Sequence, residues 1–124
     1  MAERKGHELL RGSLDLMVLS VLADGAKYGY LIQKRIGEAS DGGVRLQAGT
    51  LYPLLHRLEA DGLIKAKWEP GSGRRRCWYE LTRKGLQRLG RQADQWLQIA
   101  RCMDRLIESA SAALKEVRHA PGGA

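Results

Sequence analysis

The chain has 124 residues, room for one domain and some extra helix; 44% of it is hydrophobic and 28% charged, the composition of an ordinary globular protein. Its net charge is +7 and its pI about 9.8, which suits an acidic partner better than a basic one. The two cysteines, Cys77 and Cys102, have no metal-type spacing and the three histidines are scattered, so no zinc site, cofactor or disulfide framework is expected.

The first predicted helix runs from Ser13, a plausible N-cap, to Ala23. Leu14, Met17, Val18, Val21 and Leu22 form one stripe, and Leu16 and Leu19 add apolar side chains on the other side. A helix apolar on more than one face is buried on more than one face, so it is expected to meet a partner subunit, with Leu9 and Leu10 extending that contact. The run 14–23 is too short to span a bilayer, which takes about 20 apolar residues, and no cleavage site follows it. A cytoplasmic protein is expected, with no membrane partner.

The second helix spans Tyr28 to Ser40. Tyr28, Leu31, Ile32, Ile36 and Ala39 are expected inside, with Gln33, Lys34, Arg35 and Glu38 outside. Ser40-Asp41-Gly42-Gly43 breaks it, and Val44-Arg45-Leu46 reads as a very short strand joining a later hairpin.

A third helix follows and stops at Asp61-Gly62. Leu51, Leu54, Leu55 and Leu58 recur at three and four residues and share a core face. Thr50, Tyr52, Pro53, His56 and Arg57 are left outward, with Gln47 at the start. Pro53 lies early, where a missing N–H costs least. Thr50 is either a cap or a ligand contact; Tyr52 reads as a contact sooner than as packing. Next, Ile64, Ala66 and Trp68 alternate with Lys65, Lys67 and Glu69, and Cys77, Tyr79 and Leu81 with Arg76, Trp78 and Glu80, which predicts two strands. Pro70-Gly71-Ser72-Gly73 is the turn between them, and Arg74, Arg75 and Arg76 follow at once. Like charges bunched at a tip repel each other unless an anion is present, and phosphate supplies one. Residues 74–91 carry seven basic side chains against the single acid Glu80. Three helices with a small antiparallel sheet form a winged helix-turn-helix, mainly α, expected over residues 8–81. The expected DNA-binding set is Gln47, Thr50, Tyr52, Pro53, His56, Arg57, Lys65, Lys67, Arg74, Arg75 and Arg76.

The last helix is expected over residues 82–118, capped by Thr82. Leu86, Ala93, Ala100, Ile107 and Leu114 repeat every seven residues; Leu89, Trp96, Met103, Ala110 and Val117 do the same three residues later. That is a coiled-coil seam, and it predicts a homodimer across a two-fold axis. The expected interface is Leu10, Leu14, Leu89, Ala93, Trp96, Ala100, Met103, Ile107 and Ala110. Trp96 between Ala93 and Ala100 reads first as large-beside-small packing, and second as a slot for a flat aromatic effector. Residues 119–124 are expected to be a frayed tail.

Leu10-Arg11-Gly12, Leu14-Asp15, Tyr28-Gly29-Tyr30, Gly49-Thr50-Leu51-Tyr52-Pro53, Arg57-Leu58-Glu59, Asp61-Gly62-Leu63-Ile64, Arg75-Arg76, Tyr79, Leu81-Thr82 and Gly85 together resemble the PadR family of bacterial transcriptional regulators. The resemblance covers about residues 9–90 and implies a homodimeric DNA-binding repressor of the smaller branch, with dimer contacts from the C-terminal and first helices. It also implies DNA contacts at Thr50, Tyr52 and the wing arginines. Gln47-Ala48 departs from the Ser-Pro that many members carry there, and leaves a longer side chain free to reach DNA. Some members of that branch respond to phenolic acids or flat hydrophobic drugs. The chain shows no phosphate loop, metal cluster or nucleophile–base arrangement of an enzyme. The alternatives are a winged helix that binds protein rather than DNA, and a regulator with no ligand.

Overall fold

A computed structural model describes residues 12–119. The expected contacts at Leu9 and Leu10, the start of the domain at residue 8, and residues 120–124 of the expected tail lie outside them. Helix α1 spans Ser13–Val21, and a single 3-10 turn, Leu22–Asp24, closes it. Gly12 rather than Ser13 occupies the cap position. A two-residue strand, β1 (Lys27–Tyr28), leads directly into α2 (Gly29–Ala39). Then come α3 (Ala48–Ala60), β2 (Ile64–Trp68), β3 (Cys77–Leu81), α4 (Arg83–Ser109) and α5 (Ser111–His119).

The sheet is antiparallel with order β1-β3-β2. Its third strand is not the expected one. Val44 and Leu46 do point inward, Leu46 being 8% exposed, but residues 44–46 form no strand. Side chains satisfy that backbone instead: the Val44 N–H donates to Ser40 Oγ at 2.9 Å, and Gln33 Nε2 donates to the Leu46 carbonyl at 2.8 Å. The edge of β3 is taken by Lys27 and Tyr28, opposite Tyr79 and Trp78.

The core is built from Val18, Leu19 and Leu22 of the first helical segment, Ile32 and Ile36 of α2, and Leu51, Leu54, Leu55 and Leu58 of α3. Leu46, Leu63, Ile64 and Tyr79 complete it. The buried stripe of α1 is centred on Val18 and Leu19, while Leu16 is half-buried and outside the core cluster. In α2, Ala39 is exposed rather than inside, and Tyr30 is exposed too. Burial pushes the Tyr79 hydroxyl above the usual phenol range, and Cys77 adds to the shift.

The end of α3 and the start of α4 are locked together. Gly62, at φ +75°, closes α3: its N–H donates to the Glu59 carbonyl and the Leu63 N–H reaches back to the Leu58 carbonyl, both at 2.9 Å. Thr82 caps α4 as expected: the Gly85 N–H donates to its Oγ1 at 3.0 Å, while that hydroxyl donates to the Gly62 carbonyl at 2.7 Å. Lys84 Nζ covers the Asp61 carbonyl at 2.8 Å. Gly85 makes this contact possible, since a Cβ there would stand 2.0 Å from the Leu63 carbonyl oxygen.

By compactness the chain divides into residues 1–92 and 93–124. The first turns of α4 therefore belong with the winged unit, and Leu89 packs against its core. In the second unit the expected single helix is interrupted at Ala110. There the N–H is shared between the Leu106 and Ile107 carbonyls, both at 3.1 Å. Among the described residues of that unit, Trp96, Leu97, Ile99, Met103, Leu106, Ile107 and Val117 are exposed apolar side chains. Leu97, Ile99 and Leu106 flank the two heptad rows, so the apolar face is wider than the seam alone.

Candidate nucleic-acid interface

Helix α3 buries one face completely: Leu51, Leu55 and Leu58 are fully enclosed and Leu54 is 6% exposed. The opposite face carries Thr50, Tyr52, Pro53 and His56, all exposed, with Gln47 exposed at the N-cap. No side chain caps α3; the Thr50 and Leu51 N–H groups both donate to the Gln47 carbonyl, at 3.0 and 2.9 Å. Two anchors fix this helix from beneath. Glu59 Oε2 accepts the Ala66 N–H of β2 at 3.1 Å, and Arg57 reaches α1.

Arg57 is exposed, as expected, with 55% of its side chain open to solvent, but it is also engaged. Its guanidinium forks onto Asp15, Nη1 to Oδ2 at 3.0 Å and Nη2 to Oδ1 at 2.7 Å. Asp15 is 8% exposed, and its hydrogen bonds hold the Arg57 guanidinium protonated even above its ordinary range. A bidentate pair of this kind sets the position of α3 on α1 and takes two of the five guanidinium donors.

Tyr52 is 40% exposed, but its hydroxyl lies over Gly29 at the start of α2, where a Cβ would come within 2.5 Å of that oxygen. The residue therefore packs α3 onto α2 with one edge and shows the other to solvent. The glycine of Tyr28-Gly29-Tyr30 is explained by this close approach.

The wing is β2, β3 and the turn between them. Gly71 at φ +116° and Gly73 at φ +88° adopt conformations that side-chain-bearing residues rarely reach. Arg74 and Arg75 are exposed and make no ion pair or ring contact among the described residues. Arg76 differs: its guanidinium stands 4.5 Å from the centroid of the Tyr28 ring. Lys65 is exposed, whereas Lys67 pairs with Glu80 at 3.1 Å, across two well-exposed side chains. Such a surface pair contributes little and opens readily. Trp78 Nε1 donates to Glu69 Oε1 at 2.8 Å, which holds the Glu69 carboxyl below the usual range. Sequence patterns could not reveal these partners: Asp15 lies 42 residues from Arg57 and belongs to another helix.

A helix bare on one face, set on a second helix and followed by an arginine-tipped hairpin, defines a winged helix-turn-helix. Residues 18–91 match the model of the Transcriptional regulator PadR-like family, and the chain belongs to that family. It is 39% identical over 79 residues to a transcriptional regulator of Mycobacterium tuberculosis, across 64% of this chain and 71% of that one. A PadR family regulator from Clostridium difficile superposes with a TM-score of 0.68 at 34% identity, covering 77% of this chain and 99% of that one. One from Eggerthella lenta does so with a TM-score of 0.66 at 36% identity, covering 86% and 92%. The chain is thus a transcriptional regulator and not an enzyme. Among the described residues no helix is long and apolar enough to cross a membrane.

Proposed function

We propose that this regulator is a cytoplasmic homodimeric repressor that binds an inverted repeat in double-stranded DNA. Helix α3 enters the major groove by its N-terminal half, with Gln47, Thr50, Pro53, His56 and the exposed edge of Tyr52 toward the bases and phosphates. Arg74 and Arg75 reach the backbone beside it, and Lys65 and Lys67 add charge once Lys67 leaves Glu80. The observation that carries this reading is the division of α3 itself: four leucines buried, and the polar face of the same helix bare beside the wing.

The exposed apolar row of residues 93–119 supports the dimer. Trp96, Met103 and Ile107 are 37%, 54% and 56% exposed, with Ala93 and Ala100 half-buried between them and Ala110 exposed. A second copy would cover this row and set two reading heads about 34 Å apart, or a multiple of that distance. Leu14 and Leu89 already pack on their own core, so they would join a dimer contact only by their exposed edges. The partial exposure of Trp96 between two alanines also favours a second element of the proposal: a flat aromatic effector at this position, shifting the spacing of the heads. Equal fluorescence quenching of the wild type and Trp96→Ala by planar aromatic compounds would dispose of that effector.

A salt titration on duplex DNA tests the binding mode. Affinity should fall steeply with salt, and the Arg74→Ala/Arg75→Ala variant should lower the log–log slope by about 2. An unchanged slope would remove the wing from the backbone.

A further inference from the structure

We infer that Arg76 is a positioning residue of the wing rather than a phosphate ligand: it latches the base of the hairpin to the helix-turn-helix by lying on Tyr28. The inference rests on the DNA-binding reading for its purpose, but the latch itself is a property of the free protein.

The three arginines are identical in sequence and different in place. Arg74 and Arg75 belong to the turn, while Arg76 is the last residue before β3. Side chains two apart on a strand share a face, so Arg76 lies on the side of Trp78. Trp78 is the cross-strand partner of Tyr28, and a long side chain two residues along reaches diagonally to that partner. The guanidinium therefore settles 4.5 Å from the centre of the Tyr28 ring. Trp78 meets the same ring edge-on, with centroids 5.1 Å apart and planes at 74°. Tyr30 stacks beyond it at 6.4 Å.

The other strand closes the ring of contacts. Glu69, the residue after β2, accepts from the Trp78 indole at 2.8 Å and donates its N–H to the Arg76 carbonyl at 2.9 Å. The base of the wing is thus held at both strands, and both holds converge on Tyr28. That residue comes directly before Gly29, the first residue of α2, on which Tyr52 of α3 rests. The pitch of the wing and the seat of α3 are referred to one two-residue strand. Arg74 and Arg75, beyond the latch, keep their charges for an outside anion.

Limited trypsin digestion of the full chain, with the cut sites resolved by mass spectrometry, tests the latch without DNA. Cleavage after Arg76 requires its guanidinium to leave Tyr28 and enter the protease. Relative to the cuts after Arg74 and Arg75, it should rise about two- to fivefold in Tyr28→Leu, the worth of one exposed cation–ring contact. Tyr28→Phe, which keeps the ring, should behave as wild type. An equal ratio in wild type and Tyr28→Leu overturns the latch, whether or not the protein binds DNA.

Duplex affinity tests its purpose. A double-mutant cycle of Tyr28→Leu with Arg76→Gln should show a coupling of about two- to fivefold. Arg76→Gln alone should weaken binding and leave the salt slope unchanged, unlike loss of Arg74 and Arg75. Additive effects, or a slope lowered by about 1 in Arg76→Gln, would make Arg76 an ordinary phosphate ligand and overturn the inference. If no duplex binds even at low salt, the DNA reading fails on its own, and the digestion ratio still decides the latch.

Discussion

Removing either half of the Arg57–Asp15 pair should destabilise the winged unit, and by unequal amounts. The Arg57 side chain is 55% exposed and that of Asp15 only 12%. In Asp15→Ala the guanidinium turns to water, so the loss is that of charge-assisted hydrogen bonds discounted for screening, about 1.5 kcal/mol. In Arg57→Ala an enclosed carboxylate is left without its partner. The cost approaches that of breaking a buried pair, about 3 kcal/mol after allowing for the favourable dipole at the first turn of α1. For a domain of this size these correspond to falls in melting temperature of about 6 °C and about 12 °C. Differential scanning fluorimetry at one fixed protein concentration measures both, since the melting temperature of a dimer depends on concentration. Because Asp15 already holds two of its donors, Arg57→Ala should lower the salt slope of DNA binding by less than loss of Arg74 and Arg75 does. Equal destabilisation by the two variants, or melting within a degree of wild type for both, would refute this burial argument.

Three further outcomes follow from the packing. Gly85→Ala drives a methyl into the Leu63 carbonyl, 2.0 Å away, so it should cost about 3 kcal/mol or more, read in a chemical denaturation midpoint. Gly29→Ala meets the tip of Tyr52 at 2.5 Å; it should cost about 1 kcal/mol alone and much less in a Tyr52→Ala background, with additive losses counting against that contact. The Glu69 carboxyl is held low in the folded chain, chiefly by the Trp78 indole. Its contribution is therefore complete above the ordinary value of the group and is lost as pH falls through the lower folded value. The acid-side loss of stability should flatten in Glu69→Gln, and identical pH profiles would detach Glu69 from Trp78.

Parts of this molecule could be read directly from the residues. The leucine period of α3, the stop at Gly62, the alternation of the hairpin and the cap at Thr82 are local patterns, although in the hairpin the alternation fails at Trp68, which is 64% exposed while Ile64 on the same face is buried. The third strand was illegible because two residues carry no period. Val44 and Leu46 alternate like a strand, yet Ser40 and Gln33 satisfy their backbone without one. In the site, exposure of Gln47, Thr50, Pro53 and His56 followed from helical phase, but the engagements of Arg57 and Arg76 did not. A charged side chain on a helix flank or a wing looks free until its distant partner is known, here Asp15 on α1 and Tyr28 on β1. The break at Ala110 also escaped the pattern, because the heptad rows continue across it.

The most direct measurement is selection from random duplex DNA by the purified full chain, followed by sequencing of the bound fraction. A dimer of reading heads joined through residues 93–119 requires an inverted repeat, with half-sites about one helical turn or a whole multiple of turns apart. Enrichment of a lone asymmetric half-site, or no enrichment at low salt, would contradict it.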